Sequence, residues 1–165
     1  MCLFLSRARV FTFATHNCAL CFHAQMTSSF PIFVGFADGA SRHTQNIAST
    51  AWVIYQSDEL VISGDICLGP TTNNIVEYHA VIGILTQASS LGISRMIVNL
   101  ESQLMVCQLN RIYTICNPIL LCLHLWVHHL ERIFDYIEYR HIPRELNNVS
   151  DLLANYIMDR YLAHR

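Results

Sequence analysis

In the sequence PIFVGFADGAS, residues 31–41, a hydrophobic segment with the pattern of a β-strand leads directly into an acid. Ile32, Val34 and Phe36 alternate with the period of two that puts side chains on one face of a sheet. Asp38 continues this alternation, so we expect its carboxylate on the same face. Burial of a carboxylate costs free energy unless a partner compensates its charge. The local alternative is a turn, because aspartate before glycine is common in turns.

Outward from this stretch, the hydrophobic periodicity and the turn residues predict alternating strands and helices. We predict strands at 32–37, 51–56, 60–67, 95–100 and 134–140. We predict helices at 75–90, 102–109, 118–130 and 148–162. This order predicts an α/β domain in which helices pack on a mixed sheet.

The first 30 residues differ in composition from the rest of the chain. They lack a clear periodicity, and the first acid of the whole chain is Asp38. We therefore expect residues 1–30 to form a poorly structured leader, with some resemblance to an organelle transit peptide. Residues 31–165 are expected to form one domain. Its apolar runs are much shorter than the roughly 20 residues that cross a bilayer, which argues against a membrane protein.

Seven cysteines are scattered along the chain, and neither their number nor their spacing fits a disulfide framework. This pattern favours an intracellular reducing compartment, the cytoplasm or the nucleus. Cys18 and Cys21 resemble half of a zinc or redox site, but no second pair follows at zinc-ribbon spacing. We interpret these two residues as unpaired thiols.

Four acids occupy positions from which they can meet at one edge of the sheet. Asp38 and Glu101 follow predicted strands, whereas Glu77 and Asp151 lie near the starts of predicted helices. Glu77 is in register with the apolar positions of its helix, so its carboxylate should point towards the sheet. Local explanations also exist, such as a capping box with Asn74 for Glu77 and the helix dipole for Asp151.

A cluster of four carboxylates repels itself unless cations occupy it. Oxygen ligands suit Mg²⁺, which keeps several of its waters and so leaves room for phosphate oxygens. Two such ions, about 3.5 to 4 Å apart, can activate a water and stabilise the leaving oxygen of a phosphodiester. The cluster therefore predicts a site for two Mg²⁺ ions, for which Mn²⁺ can substitute.

At these positions the chain resembles the ribonuclease H family, particularly the plant-type domains of retrotransposon reverse transcriptase polyproteins. The resemblance covers residues 32–163, and four motifs in order and spacing carry it. They are FADGAS at 36–41, TTNNIVEY at 71–78, ESQL at 101–104, and HIPRELN at 141–147 leading to DLLAN at 151–155.

The resemblance implies a ribonuclease H-like fold, a five-stranded mixed sheet with an antiparallel second strand and flanking helices. It implies that Asp38, Glu77, Glu101 and Asp151 ligate the metals. His141 matches a loop histidine that assists catalysis or product release, although it can equally order its loop. Recognition of the substrate is expected through shape and 2′-hydroxyls. The residues that match substrate contacts are Thr72, Asn73, Asn74, Ser102, Gln103 and Asn147.

The activity that the resemblance implies is metal-dependent endonucleolytic hydrolysis of the RNA strand of an RNA–DNA hybrid. The products would carry a 3′-hydroxyl and a 5′-phosphate. We expect the domain to act as a monomer, with the RNA–DNA hybrid as its partner. The chain can be a fragment of a larger polyprotein.

Three departures from the family pattern predict impaired activity. Glu101 stands where the family has aspartate, so the carboxylate extends one methylene further from the backbone. The glycines usual after the first motif are missing from 42–51. The chain has ten arginines, no lysine and a formal net charge of −2, and 120–130 lacks the basic residues of a nucleic-acid-binding face. The alternative is a decayed copy that keeps the fold and only weak nucleic-acid binding.

Two further pairs have simpler interpretations. His124 and His128 are one helical turn apart and could ligate zinc, but no nearby acid completes a site, and we favour an ordinary helix face. Trp52 and Trp126 each lie in an apolar run, which predicts core positions.

Overall fold

The computed structural model describes residues 31–163, so the predicted leader and the Cys18–Cys21 pair lie outside the described residues. Every predicted strand and helix is present. In chain order they are β1 (Phe33–Arg42), β2 (Ile47–Gln56), β3 (Glu59–Leu68), α1 (Asn73–Ser90), β4 (Arg95–Leu100), α2 (Gln103–Leu109), α3 (Pro118–Glu131), β5 (Tyr136–His141) and α4 (Asn148–Ala163). No helix among residues 31–163 is long and apolar enough to cross a bilayer.

The five strands form one mixed sheet in the order β3-β2-β1-β4-β5. β2 runs antiparallel to both β1 and β3, whereas β4 and β5 are parallel to β1 and to each other. The predicted mixed sheet with an antiparallel second strand is confirmed. β1 is longer than predicted and continues to Arg42, with Asp38 paired to Ala51 of β2. Asp38 therefore lies within the strand rather than at its end.

Helices cover both faces of the sheet. The ring of Trp52 in β2 packs against Gly83 of α1. Ser49, three positions earlier in β2 and so on the other face, donates a 2.5 Å hydrogen bond to the carbonyl oxygen of Ala154 in α4. Trp52 is 5% exposed, which confirms its core position, but Trp126 is 51% exposed, so the prediction for it is wrong.

Two turns show how the chain reverses without glycine. Ser57 and Asp58 both have positive φ, 48° and 67°, and connect β2 to β3 in a two-residue hairpin. Between β1 and β2, Asn46 has a φ of 50°. Asparagine tolerates this left-handed conformation better than most residues. The missing glycines at 42–51 therefore do not prevent the first two strands from pairing.

Candidate active site

All four predicted acids line one open cleft of about 460 Å³. Asp38 projects from β1, Glu77 from the second turn of α1, Glu101 from the residue after β4, and Asp151 from the first turn of α4. The structure thus brings together four acids that are spread over more than 100 residues of the sequence. The other residues that line the cleft are Gly39, Ala40, Ser41, Asn73, Ser102, Arg144 and Asn155.

The packing of the elements explains this convergence. Ala37 of β1 lies beside Leu100 of β4 in the parallel register, so the acids that follow these residues are neighbours. Gly39 allows α1 to approach β1, because a Cβ atom there would lie 2.8 Å from the backbone nitrogen of Glu77. Close approach of this kind requires glycine.

The cleft disfavours negative charge. The pKa of Asp38 is raised to about 7, first by burial and then by the charges of Glu101, Asp151 and Glu77, against the lowering effect of the Gly39 backbone hydrogen bond. The pKa of Glu77 is also raised, first by burial, with a hydrogen bond to Ser102 acting in the opposite direction. Ionisation of all four carboxylates therefore requires a compensating positive charge.

Glu101 gives a direct indication of where that charge belongs. Its Oε1 atom is buried and has no hydrogen-bond partner. Among residues 31–163, no three His, Cys, Asp or Glu side chains are close enough to enclose one ion. Mg²⁺ does not need such an enclosure, because it usually binds through one or two carboxylates and retains its waters. An all-oxygen donor set with an orphan oxygen fits Mg²⁺ or Mn²⁺.

Arg144 is a cleft residue that sequence reasoning missed. Its guanidinium Nη2 donates a 3.1 Å hydrogen bond to Oδ1 of Asp151. Asn155, also missed, donates to the same oxygen at 3.2 Å from one helical turn further on. Asp151 and Asn155 are four positions apart on the predicted helix, and this spacing was the available signal for Asn155. For Arg144 the signal was its position in the 141–147 motif, but its partner depends on how that loop folds.

Five of the predicted substrate-contact residues surround the starts of α1 and α2. Thr72 precedes α1, and its side chain makes no capping hydrogen bond. Asn73 is exposed and its Oδ1 accepts a hydrogen bond from Ser41. Gln103 is exposed, whereas Asn74 and Ser102 are partly buried. Thr72, Asn73 and Gln103 are therefore available to a ligand at the cleft.

The starts of the two helices exclude the capping box as the explanation for Glu77 and show where Glu101 lies relative to α2. Thr72 occupies the N-cap position of α1, so Glu77 is the fifth residue of the helix and does not form a capping box with Asn74. α2 begins at Gln103, and its cap is Ser102, whose side chain accepts a hydrogen bond from the backbone nitrogen of Met105. Glu101 therefore lies outside the helix, and its length does not affect the cap.

Asn147 has a different role from the substrate contact that was predicted. Its side chain is 1% exposed. Its Nδ2 donates to the carbonyl oxygen of Ala37 at 3.4 Å, and its Oδ1 accepts a hydrogen bond from Ser150. These contacts fix the start of α4 against β1. A buried side chain with both ends occupied cannot reach a substrate.

His141 lies close to the cleft but not in its wall. It is the last residue of β5 and pairs with Leu100, the residue before Glu101. Its side chain is exposed and does not belong to the residues that line the cleft. The side chain is therefore accessible to a bound ligand from the edge of the cleft.

Comparisons with known proteins agree with this architecture. The sequence model of the reverse transcriptase-like family matches residues 36–157. A bifunctional protein of Mycobacterium tuberculosis is 33% identical over 125 residues, which are 74% of this chain and 34% of that protein. The chain therefore spans about a third of the length of this curated relative.

Two solved structures are similar over most of the domain. RNase H1 from the halophilic archaeon Halobacterium salinarum has a TM-score of 0.74 and 32% identity, covering 78% of this chain and 98% of that one. LC11-RNase H1 in complex with an RNA/DNA hybrid has a TM-score of 0.73 and 28% identity, covering 79% and 99%. By its family match and by these relatives, the chain belongs to the reverse transcriptase-like family and contains a ribonuclease H-like domain.

Proposed function

We propose that this protein hydrolyses the RNA strand of RNA–DNA hybrids in a reaction that depends on a divalent metal ion. The observation that carries the proposal is the convergence of Asp38, Glu77, Glu101 and Asp151 in one cleft. A relative of similar fold was solved with an RNA/DNA hybrid, which supports the choice of substrate.

The four acids are the proposed ligands of two Mg²⁺ or Mn²⁺ ions. When bound, these ions would supply an activated water and stabilise the leaving oxygen of the phosphodiester. Asp38 has the acid neighbours Glu77, Glu101 and Asp151, so its ionised form depends most on the added positive charge.

Other residues of the chain would bind and orient the hybrid. Asn73 and Gln103, exposed at the starts of α1 and α2, would hydrogen-bond to the minor groove, where 2′-hydroxyls distinguish RNA from DNA. Arg144 would stabilise a phosphate beside Asp151. His141, at the edge of the cleft, would donate a proton to the leaving 3′-oxygen, which becomes the 3′-hydroxyl.

The proposal includes reduced activity. Glu101 extends one methylene further than the aspartate of the family pattern, whereas Mg²⁺ demands near-ideal geometry. Misplacement of a catalytic group by about 1 Å can cost on the order of a hundredfold in rate.

The biological setting of the proposal rests on the resemblance to plant-type domains from retrotransposon polyproteins. We propose that the chain derives from such a polyprotein and acts as a monomer in a reducing compartment. Its match to a family described as reverse transcriptase-like supports this origin.

A panel of labelled substrates tests the proposed function. The same labelled RNA is offered as a hybrid with DNA, as an RNA duplex and as a single strand, with MgCl₂ or MnCl₂. We expect slow cleavage of the hybrid alone, with 5′-phosphate and 3′-hydroxyl ends. Failure to cleave the hybrid with either metal would support the decayed copy, and cleavage of all three substrates would refute the proposed specificity.

A further inference from the structure

Two histidines meet on α3 at a site separate from the acidic cleft. His124 and His128 are one helical turn apart, and their Nε2 atoms are 2.9 Å apart. The rings are nearly perpendicular, with centroids separated by 4.2 Å. Both side chains are partly buried rather than fully exposed on the helix surface. Two imidazole nitrogens therefore face the same small volume.

An acid lies behind the second histidine. Nδ1 of His128 is hydrogen-bonded to Oε2 of Glu131, whose Oε1 accepts a 2.8 Å hydrogen bond from the hydroxyl of Tyr139. A carboxylate accepts only, so Nδ1 of His128 carries the proton in this contact, and Nε2 is the ring nitrogen left to face His124. Histidines that bind metals are commonly oriented in this way by a carboxylate on the other nitrogen. Glu131 is therefore the nearby acid that the sequence spacing did not identify, and it positions the ring of His128.

The first histidine is held by α1. Its Nδ1 is 3.5 Å from the hydroxyl of Tyr78, which donates a 3.0 Å hydrogen bond to Gln108. These contacts hold the ring of His124 so that its Nε2 faces His128.

We propose that His124 and His128 bind a borderline transition-metal ion such as Zn²⁺ through their Nε2 atoms, with water as the remaining ligands. Zn–N bonds of 2.0–2.1 Å in a tetrahedral site put two ligating nitrogens about 3.3 Å apart, so the two Nε2 atoms would separate by about 0.4 Å. The ion would replace the proton that these two nitrogens share, and that proton would pass to solvent. Within residues 31–163 no third His, Cys, Asp or Glu completes the site, which is why water must.

The acidic cleft and the histidine pair should prefer different metals, because their ligand atoms differ. The cleft offers carboxylate oxygens, which suit Mg²⁺ and Mn²⁺, whereas the histidine pair offers imidazole nitrogens, which suit Zn²⁺, Ni²⁺ and Cu²⁺. A cation bound by His124 and His128 would lie near the positive charge of Arg111, whose Nη2 is 3.4 Å from Nδ1 of His128. The negative charge of Glu131, which also contacts Nδ1 of His128, offsets that of Arg111. Through Tyr78 and Tyr139 the bound ion would fasten α3 to α1 and β5.

Calorimetric titration of the full-length chain with ZnCl₂ tests the site. An excess of MgCl₂ occupies the acidic cleft, and a Cys18→Ser, Cys21→Ser background removes a competing thiol pair. We expect one equivalent of Zn²⁺ to bind, and His124→Gln and His128→Gln each to weaken the affinity at least tenfold. His129→Gln, at an exposed position on the same helix, is the matched control and should leave the affinity unchanged.

Two further readouts keep the test decisive if a histidine variant folds poorly. Glu131→Gln should weaken Zn²⁺ binding by about 10 to 100-fold, as removal of an orienting carboxylate typically does. X-ray absorption of the Zn²⁺-loaded protein should show two imidazole ligands with oxygen completing the shell. Sulfur ligation, or equal losses in His129→Gln and His128→Gln, would overturn the proposal.

Discussion

Glu101 is the cleft acid that differs from the pattern implied by the resemblance to ribonuclease H, in which an aspartate stands at this position. One of its oxygens is buried without a partner, while the helix start that follows is capped independently by Ser102. The departure therefore concerns the proposed chemistry of the cleft and not the stability of α2.

Replacement of Glu101 gives the first prediction. Glu101→Asp should raise the single-turnover rate of hybrid cleavage in MgCl₂ at least about tenfold, which equals roughly 1.4 kcal/mol of transition-state stabilisation. The melting temperature should change little, because Ser102 and not Glu101 caps the helix. Equal rates for the two proteins would show that the extra methylene does not limit activity.

Asn147 gives the second prediction, since its burial contradicts the role that its motif implied. Asn147→Ala removes the contacts to Ala37 and Ser150 and should reduce the free energy of unfolding by about 1–3 kcal/mol. Urea denaturation measures the loss, and Asn148→Ala, at the exposed neighbouring position, is the control. An unchanged stability combined with a raised KM for the hybrid would restore Asn147 as a substrate contact.

For individual residues, the sequence predicted which acids meet in the cleft but not which other side chains contact them. The strand period and the motif order identified Asp38 and its three partners. The ion pair of Arg144 with Asp151 depends on a loop that brings them together, and the burial of Asn147 depends on β1. Neither contact has a periodic signal, because both join segments that are irregular or far apart in the sequence.

The packing of α1 on β2 controls the position of Glu77, and a glycine makes that packing possible. A Cβ atom on Gly83 would lie 2.4 Å from the ring of Trp52, whereas Gly69 has open space around it. Trp52 is buried, so its ring has little freedom to move away.

The third prediction follows from this contact. Gly→Ala in a helix normally gains roughly 0.5–1 kcal/mol, but overpacking of a core typically costs about 1–3 kcal/mol. Gly83→Ala should therefore reduce the free energy of unfolding, as measured by denaturant titration. Gly69→Ala should show no comparable loss. A Gly83→Ala variant more stable than the natural protein would contradict the tight packing of α1 on Trp52.

The boundaries of the elements were predicted best where local signals mark them. Both ends of β4 agree with the prediction, since Gly92 precedes the strand and Glu101 follows it. β1 and β2 extend beyond their hydrophobic segments because each supplies backbone partners to the other, from Asp38 with Ala51 to Arg42 with Ile47. Trp126 was misplaced for a related reason, since an apolar run does not reveal which side of α3 packs against α1.

For the molecule as a whole, the acidic cleft links stability to pH, which gives the fourth prediction. The pKa of Asp38 rises from 3.8 to about 7 on folding, so the folded state binds a proton more tightly than the unfolded state. The resulting stabilisation is complete below about pH 4 and is lost as the pH rises through 7. The shift of Glu77 has the same direction.

In EDTA, the free energy of unfolding of the natural protein should fall between pH 5 and pH 8 more steeply than that of Asp38→Asn. Urea denaturation at several pH values measures both profiles. Addition of MgCl₂ should flatten the profile of the natural protein, because the cations would compensate the ionised cluster. Parallel profiles for the two proteins in EDTA would refute the raised pKa of Asp38.

We propose that the four carboxylates act together as a metal-dependent nuclease site. The test is the rate of hybrid cleavage as a function of MgCl₂ concentration. The initial rate is measured for the natural protein and for Asp38→Asn, purified in parallel. Asp38→Asn removes a carboxylate that has three acid neighbours in the cleft, so its rate should fall to background at every concentration. The natural protein should show a rate that rises with MgCl₂ and vanishes in EDTA. Equal cleavage by Asp38→Asn, or cleavage that persists in EDTA, would contradict the account.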